Sequence, residues 1–212
     1  MAGLGEVELE IAPVGYRREG TSSVVVAPAA VANYGFASGF EAVLEGRQDV
    51  RLDAGQHSSL QDAAISVKSV LRRGSLQGAS GLSVALEIGV LAPGSERGIG
   101  THVSSIFSFQ NSALSLHLNL DNGLSSLRYD ASASLILEGP ARWRLRPVAE
   151  GLLEREFEAG APHRQVAESL LLGGIARWTN AVSFDLAVRI GRADGRRDEE
   201  ARAGLTVGFS AW

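Results

Sequence analysis

The chain has 212 residues, 45% of them hydrophobic, with 25 glycines, six prolines, no cysteine and a formal net charge of -4. That balance excludes a basic nucleic-acid surface, a disulfide framework or thiolate metal centre, and the polar, highly charged composition of a disordered chain. No run of about 18 apolar residues occurs, which excludes a transmembrane helix but leaves open a closed barrel, whose strands need only about 9–11 residues to cross a bilayer.

One domain spanning residues 1–212 is expected, because all-β barrels reach this size as single units. The N-terminal MAGLGEVELE lacks the basic and apolar regions of a secretory signal, so an exported form would have lost its signal. The first strand, roughly 4–12, alternates Val7, Leu9 and Ile11 with Glu6, Glu8 and Glu10. Residues 22–34 read as a second strand that Pro28 makes bulged or irregular, since proline cannot donate to a ladder. The third runs to about Leu52, with Phe40, Ala42 and Leu44 opposite Glu41, Glu45 and Arg47. A fourth, roughly 60–72, sets Ile65, Val67 and Leu71 against Ser66 and Lys68, and a fifth, about 80–92, sets Leu82, Val84, Leu86, Ile88 and Val90 against Ser83, Glu87 and Gly89. The sixth, 100–110, carries Val103, Phe107 and Phe109 against His102, Ser104, Ser108 and Gln110.

The clearest segment is the seventh, ALSLHLNLD from Ala113 to Asp121. Its four leucines share one face of an extended chain, whereas a 3.6-residue helical repeat would scatter them. The eighth sets Tyr129, Ala131, Ala133, Leu135 and Leu137 against Asp130, Ser132, Ser134 and Glu138, and the ninth, starting at the Gly139-Pro140 turn, sets Trp143 and Leu145 against Arg142, Arg144, Arg146, Glu150 and Glu154. The tenth, about 165–178, carries Leu170, Leu172, Ala176 and Trp178, the eleventh alternates Val182, Phe184, Leu186, Val188 and Ile190 with Ser183, Asp185, Ala187 and Arg189, and the twelfth carries Leu205, Val207, Phe209 and Ala211.

About twelve antiparallel strands joined in up-and-down order are therefore expected, an all-β fold. The linkers after odd strands read as long and charged (GYRREG, DAGQHSS, PGSERGIG, DNGLSS, EFEAGAPH, RADGRRDE), and those after even strands as short, residues 73–79 excepted. That asymmetry describes a bacterial outer-membrane barrel with both termini on the periplasmic side. A soluble lipid-binding barrel would reverse the faces, apolar inside. Three features favour lipid outside: the apolar face is too extensive to fill a lumen, Tyr34, Phe40, Tyr129, Trp143, Trp178 and Trp212 cluster near strand ends, where aromatic girdles sit, and the sequence finishes on an aromatic residue of a strand.

The blocks YGFASGFEAVLEG (34–46), LQDAAISVKSVLR (60–72), LSVALEIGVLAPGSERGIGT (82–101) and ALSLHLNLDNG (113–123) together resemble the outer-membrane β-barrel family assigned to transport in the meta-pathway of phenol degradation. Gln61-Asp62 stands where that family usually has Gly-Asp, and Ser95 interrupts its Pro-Thr-Gly order. The tail LTVGFSAW is similar to the strand on which such barrels end, although Trp212 is one place out of phase with Phe209 and Ala211. The resemblance implies an outer-membrane location, recognition of the strand ending at Trp212 by the barrel-assembly machinery, and passage of small, including aromatic or hydrophobic, solutes.

With the polar face inward, Lys68, Glu87, His117, Asp121, Glu138, Glu150, Asp185 and Arg189 are lumenal selectivity candidates. Arg142, Arg144 and Arg146 read either as an electropositive ladder that steers anions or as partners of carboxylates such as Glu138. His57/Ser59 and His102/Ser104 have the two-residue spacing of some outer-membrane hydrolases, but nothing orients a third member, and no enzyme activity, cofactor or metal is expected. The expected partners are the lipid bilayer, lipopolysaccharide and small-molecule solutes. A closed, non-conducting barrel whose loops bind something is the alternative.

Overall fold

The computed structural model describes residues 2–19, 22–52, 58–92, 99–126, 128–158 and 165–210. Twelve strands run in chain order: β1 Glu6–Glu19, β2 Ser22–Ala37, β3 Phe40–Arg51, β4 Ser58–Arg72, β5 Ser83–Leu91, β6 Gly100–Gln110, β7 Ser115–Ser125, β8 Arg128–Glu138, β9 Leu145–Glu158, β10 Gln165–Arg177, β11 Val182–Ala193 and β12 Arg196–Ser210. Each pairs antiparallel with its sequence neighbours, and β1 closes on β12 from Glu6↔Ser210 to Glu19↔Asp198. Closure leaves no edge, so every strand finds backbone partners on both sides, the condition for crossing a hydrocarbon layer.

The two faces are inverted relative to a water-soluble protein. Large apolar side chains point outward and exposed, as at Ile65 (64%) and Leu186 (67%), while the most deeply buried large side chain is a carboxylate, Glu41, at 1%. A continuous apolar exterior of this extent is unfavourable in water by about 25 cal/mol per Å² and favourable in lipid. Outward aromatics mark both borders. Phe36, Phe40, Phe109, Trp143, Trp178 and Phe209 lie towards the end that carries the termini, and Tyr16, Tyr129 and Phe157 towards the other. Tyr129 and Phe157 pack together with ring centroids 5.8 Å apart.

Two expectations about strand ends are corrected. The stretches GYRREG, DNGLSS and RADGRRDE are largely strand, since β1 continues to Glu19, β7 to Ser125 and β12 begins at Arg196; β9 takes in the first three residues of EFEAGAPH, to Glu158, and residues 159–163 lie outside the described residues. Only two residues separate β1 from β2, β7 from β8, and β11 from β12, whereas ten separate β4 from β5 and include a 3₁₀ turn, Ser75–Gln77. At those ends, what reads as charged loop is strand that extends beyond the apolar band; most of DAGQHSS and PGSERGIG lies outside the described residues. The second correction concerns the ninth strand, which begins at Leu145 and not at the Gly139-Pro140 turn.

The early end read for strand one has a local cause. Pro13 and Pro28 both fall in the gap of the β1–β2 ladder between Ala12↔Ala29 and Gly15↔Val26. Neither can donate to the ladder, and both strands change phase there: Ile11 and Val14 are both outward, opposite Leu205 and Ala203. The irregularity expected at Pro28 is present as a register shift between Val26 and Ala29, and the proline at 13 interrupts the reading of the first strand. The twelfth strand's final residues, Ala211 and Trp212, lie outside the described residues, as does His57.

Candidate functional site

The site is the lumen, built from every second residue of each strand. Around β3 to β5 the registers align Glu41 with Lys68 and Lys68 with Glu87. The Lys68 ammonium bridges both carboxylates, 3.3 Å from Glu41 Oε1 and 3.1 Å from Glu87 Oε2, and the Ser66 hydroxyl donates to Glu87. Removal of Glu41 from water is thus compensated by a cation on one side and by the Ala2 amide, which donates to its second oxygen. Ala2 and Gly3 turn into the lumen to do so. Gly35 makes this close approach possible, since a Cβ there would lie 1.9 Å from the Gly3 carbonyl oxygen.

On the opposite wall, Arg146 donates to Glu138 at 2.9 Å, and Arg189 donates to Glu150 at 2.7 Å and to Ser169 at 2.8 Å, with Glu200 3.7 Å away. Between these walls, His117 Nδ1 is 2.8 Å from the Ser108 hydroxyl, Asn119 donates to Ser134, and Ser132 donates to Asp121. Asp185 faces Gly204 across the β11–β12 pair; a Cβ on that glycine would meet Asp185 Oδ2 at 2.2 Å. Open lumenal space remains, about 850 Å³ bordered by Glu8, Glu10, Glu138, Arg146, Glu150 and Asp185, and about 690 Å³ nearer the charged strand extensions.

Nine of the eleven sequence-derived candidates face this lumen: Lys68, Glu87, His117, Asp121, Glu138, Arg146, Glu150, Asp185 and Arg189. Arg142 and Arg144 do not. They sit in the exposed turn 139–144 before β9, where Arg177 donates to the Arg142 carbonyl oxygen. Gly139-Pro140 does not open the strand directly, so the alternation that would stack three guanidinium groups is absent. The anion ladder therefore reduces to one arginine, Arg146, held by a carboxylate.

Lumenal residues that strand reading missed lie on the extensions. Arg17 pairs with Asp198 at 3.0 Å and Arg128 with Glu156 at 2.8 Å, while Arg47, already read on the polar face of the third strand, pairs with Asp49 at 3.2 Å. The signal was present in Arg196, Asp198, Glu200 and Arg202, which alternate at a period of two, but a run of charges resembles a solvated loop when no apolar residue marks the other face. His102 and Ser104 face the lumen together, bordering a third space of about 440 Å³.

Comparison with protein-family models finds no match, and no curated protein sequence is similar to the chain. Solved structures are similar in fold. An outer-membrane channel from Pseudomonas putida F1 superposes with a TM-score of 0.75 at 9% identity, covering 99% of this chain and 97% of that one. The NanC porin gives 0.65 at 10% identity over 95% of this chain and 98% of its own. The KdgM porin in complex with disordered oligogalacturonate gives 0.56 at 11% identity over 95% and 99%. At these identities the likeness shows a shared architecture: a closed antiparallel barrel of the outer-membrane type.

Proposed function

We propose that this barrel resides in a bacterial outer membrane and lets small polar solutes cross by diffusion. The observation that carries the reading is the arrangement of lumenal charge. The cations are drawn to the wall as cross-strand pairs, Lys68 with Glu41 and Glu87, Arg146 with Glu138, Arg189 with Glu150, and about 850 Å³ of space stays open beside Glu138, Arg146 and Glu150. A lumen filled to stabilise a closed barrel would place side chains in that space. The fold shared with channels and porins supports the same reading.

Inward carboxylates outnumber inward cations among the described residues, so the passage prefers cations, as rings of charge set selectivity in pores. Passage of aromatic or hydrophobic solutes rests on the motif resemblance to the phenol meta-pathway barrels alone. Single-channel recording in planar bilayers tests the proposal: discrete conductance steps with a cation-selective reversal potential are expected, and a bilayer that stays sealed after verified insertion would overturn it in favour of the non-conducting barrel.

The exterior supports a reading of orientation and lipid contacts. Among the described residues, outward charges gather on the strand extensions of β9 to β12 and β1, where Arg192 opposes Glu168 and Arg197, and Arg18 opposes Glu199. Directly adjoining them is an apolar groove of about 600 Å³ lined by Leu118, Leu135, Leu153, Leu170 and Ile190. Guanidinium groups above an acyl-sized groove suit the phosphates and chains of lipopolysaccharide, with this end facing outward and the termini periplasmic. The C-terminal strand is the segment offered to the assembly machinery.

A further inference from the structure

The charge on the lumenal wall is uneven. The walls at Arg146 and Arg189 carry direct pairs, and the space of about 440 Å³ beside β3 and β5 to β9 has five lining carboxylates, Glu45, Glu87, Asp121, Asp130 and Glu154, with His102; Lys68 reaches Glu87 and Arg128 reaches Asp130 from outside that lining. Carboxylates facing one enclosed volume repel one another and favour a bound cation. An acidic lining alone would attract a diffuse ion cloud, but here three groups converge on a point. One ligand atom each from Glu45, Glu87 and His102 lies within 4.8 Å of the other two.

The backbone is arranged to allow that convergence. Glu45 comes from β3, Glu87 from β5 and His102 from β6, so side chains must cross the intervening positions. Those positions are small: Ala64, 1% exposed, pairs with Glu45, and Gly89 pairs with His102. A Cβ on Gly89 would lie 2.0 Å from His102 Nε2, so glycine there is what lets the imidazole lie flat across β5 towards the carboxylates. His102 Nε2 is itself buried and has no hydrogen-bond partner. A buried imidazole nitrogen without a partner is costly unless something accepts its lone pair or its proton.

From this geometry we propose that Glu45, Glu87 and His102 form a binding site for one divalent transition-metal ion in the lumen. One imidazole and two carboxylates suit Zn²⁺ and its neighbours better than Ca²⁺ or Mg²⁺, which take oxygen ligands alone. Bond lengths of about 2.0–2.2 Å bring tetrahedral ligand atoms to roughly 3.4 Å apart, so the three side chains close in by rotamer adjustment, and water completes the coordination. Glu87 keeps Lys68 on one oxygen, which orients the carboxylate as outer-shell partners orient metal ligands. The site is independent of solute passage: a barrel that conducts nothing would still hold the ion.

Zn²⁺ binding to the folded barrel in detergent, measured by calorimetry and by competition with a chelating dye, tests this directly. One Zn²⁺ per barrel is expected, with His102→Ala and Glu45→Gln each weakening affinity by at least ~10-fold and His117→Ala, elsewhere on the wall, leaving it unchanged. Co²⁺ in the same site should give visible d–d absorption that His102→Ala abolishes. Gel migration before and after boiling verifies that each variant is folded. Absence of stoichiometric binding, equal competition by Mg²⁺, or full Zn²⁺ affinity in folded His102→Ala would overturn the assignment and leave only an acidic lumen.

Discussion

Placing an arginine on each of two adjacent residues of β7 separates the faces of the barrel most directly. Leu118 points outward between Phe107 and Leu135, and Asn119 points inward between Ile106 and Ser134. An arginine at 118 would stand in the apolar band. The nearest outward carboxylate bordering the same groove, Glu168, is on β10, three strands away, or about 14 Å at a spacing of about 4.8 Å per strand, beyond the reach of one side chain. The charge therefore has no partner and costs about 2–4 kcal/mol near the bilayer midplane. At about 1.4 kcal/mol per decade, that is a loss of roughly 30- to 1,000-fold in the equilibrium between inserted and unfolded barrel. An arginine at 119 meets lumenal water and the inward Asp121, and should change stability by less than about 1 kcal/mol. Reversible urea titration of the barrel in lipid vesicles, followed by tryptophan fluorescence, reads both. Equal destabilisation by the two substitutions would refute the assignment of the faces.

Lys68→Met should destabilise the barrel by about 3–5 kcal/mol, because it leaves Glu41 and Glu87 buried without their shared cation; adding Glu41→Gln and Glu87→Gln should recover much of the loss in the same titration. Arg146→Ala with Arg189→Ala removes two lumenal cations and frees Glu138, Glu150 and Glu200, so the reversal potential in a salt gradient should move further towards cations. Gly35→Ala drives a methyl group into the Gly3 carbonyl and should expel residues 2 and 3 from the lumen, seen as faster proteolysis of the N-terminus and a larger single-channel conductance. Arg192→Glu with Arg197→Glu reverses the outward charge above the groove and should reduce co-purifying lipopolysaccharide phosphate, with the folded fraction unchanged.

Alternation at a period of two in segments such as Ala113–Asp121 and Val182–Ile190 determined the strands, their number and, through the excess of apolar surface, which face meets lipid. That much is local: a strand's two faces are fixed by residue parity, and parity is visible in one dimension. Charged extensions such as Arg196–Arg202 were not legible as strand, because alternation is invisible where both faces are polar, and Arg142 and Arg144 seemed stacked only because parity was carried through a turn. Which lumenal charges meet was decided by register. Glu41, Lys68 and Glu87 are 27 and 19 residues apart and become neighbours only when three strands align. The same holds for Glu45, Glu87 and His102, whose convergence depends on the small residues Ala64 and Gly89 between them. Parity says which way a side chain points; closure of the barrel and its stagger determine what it finds there.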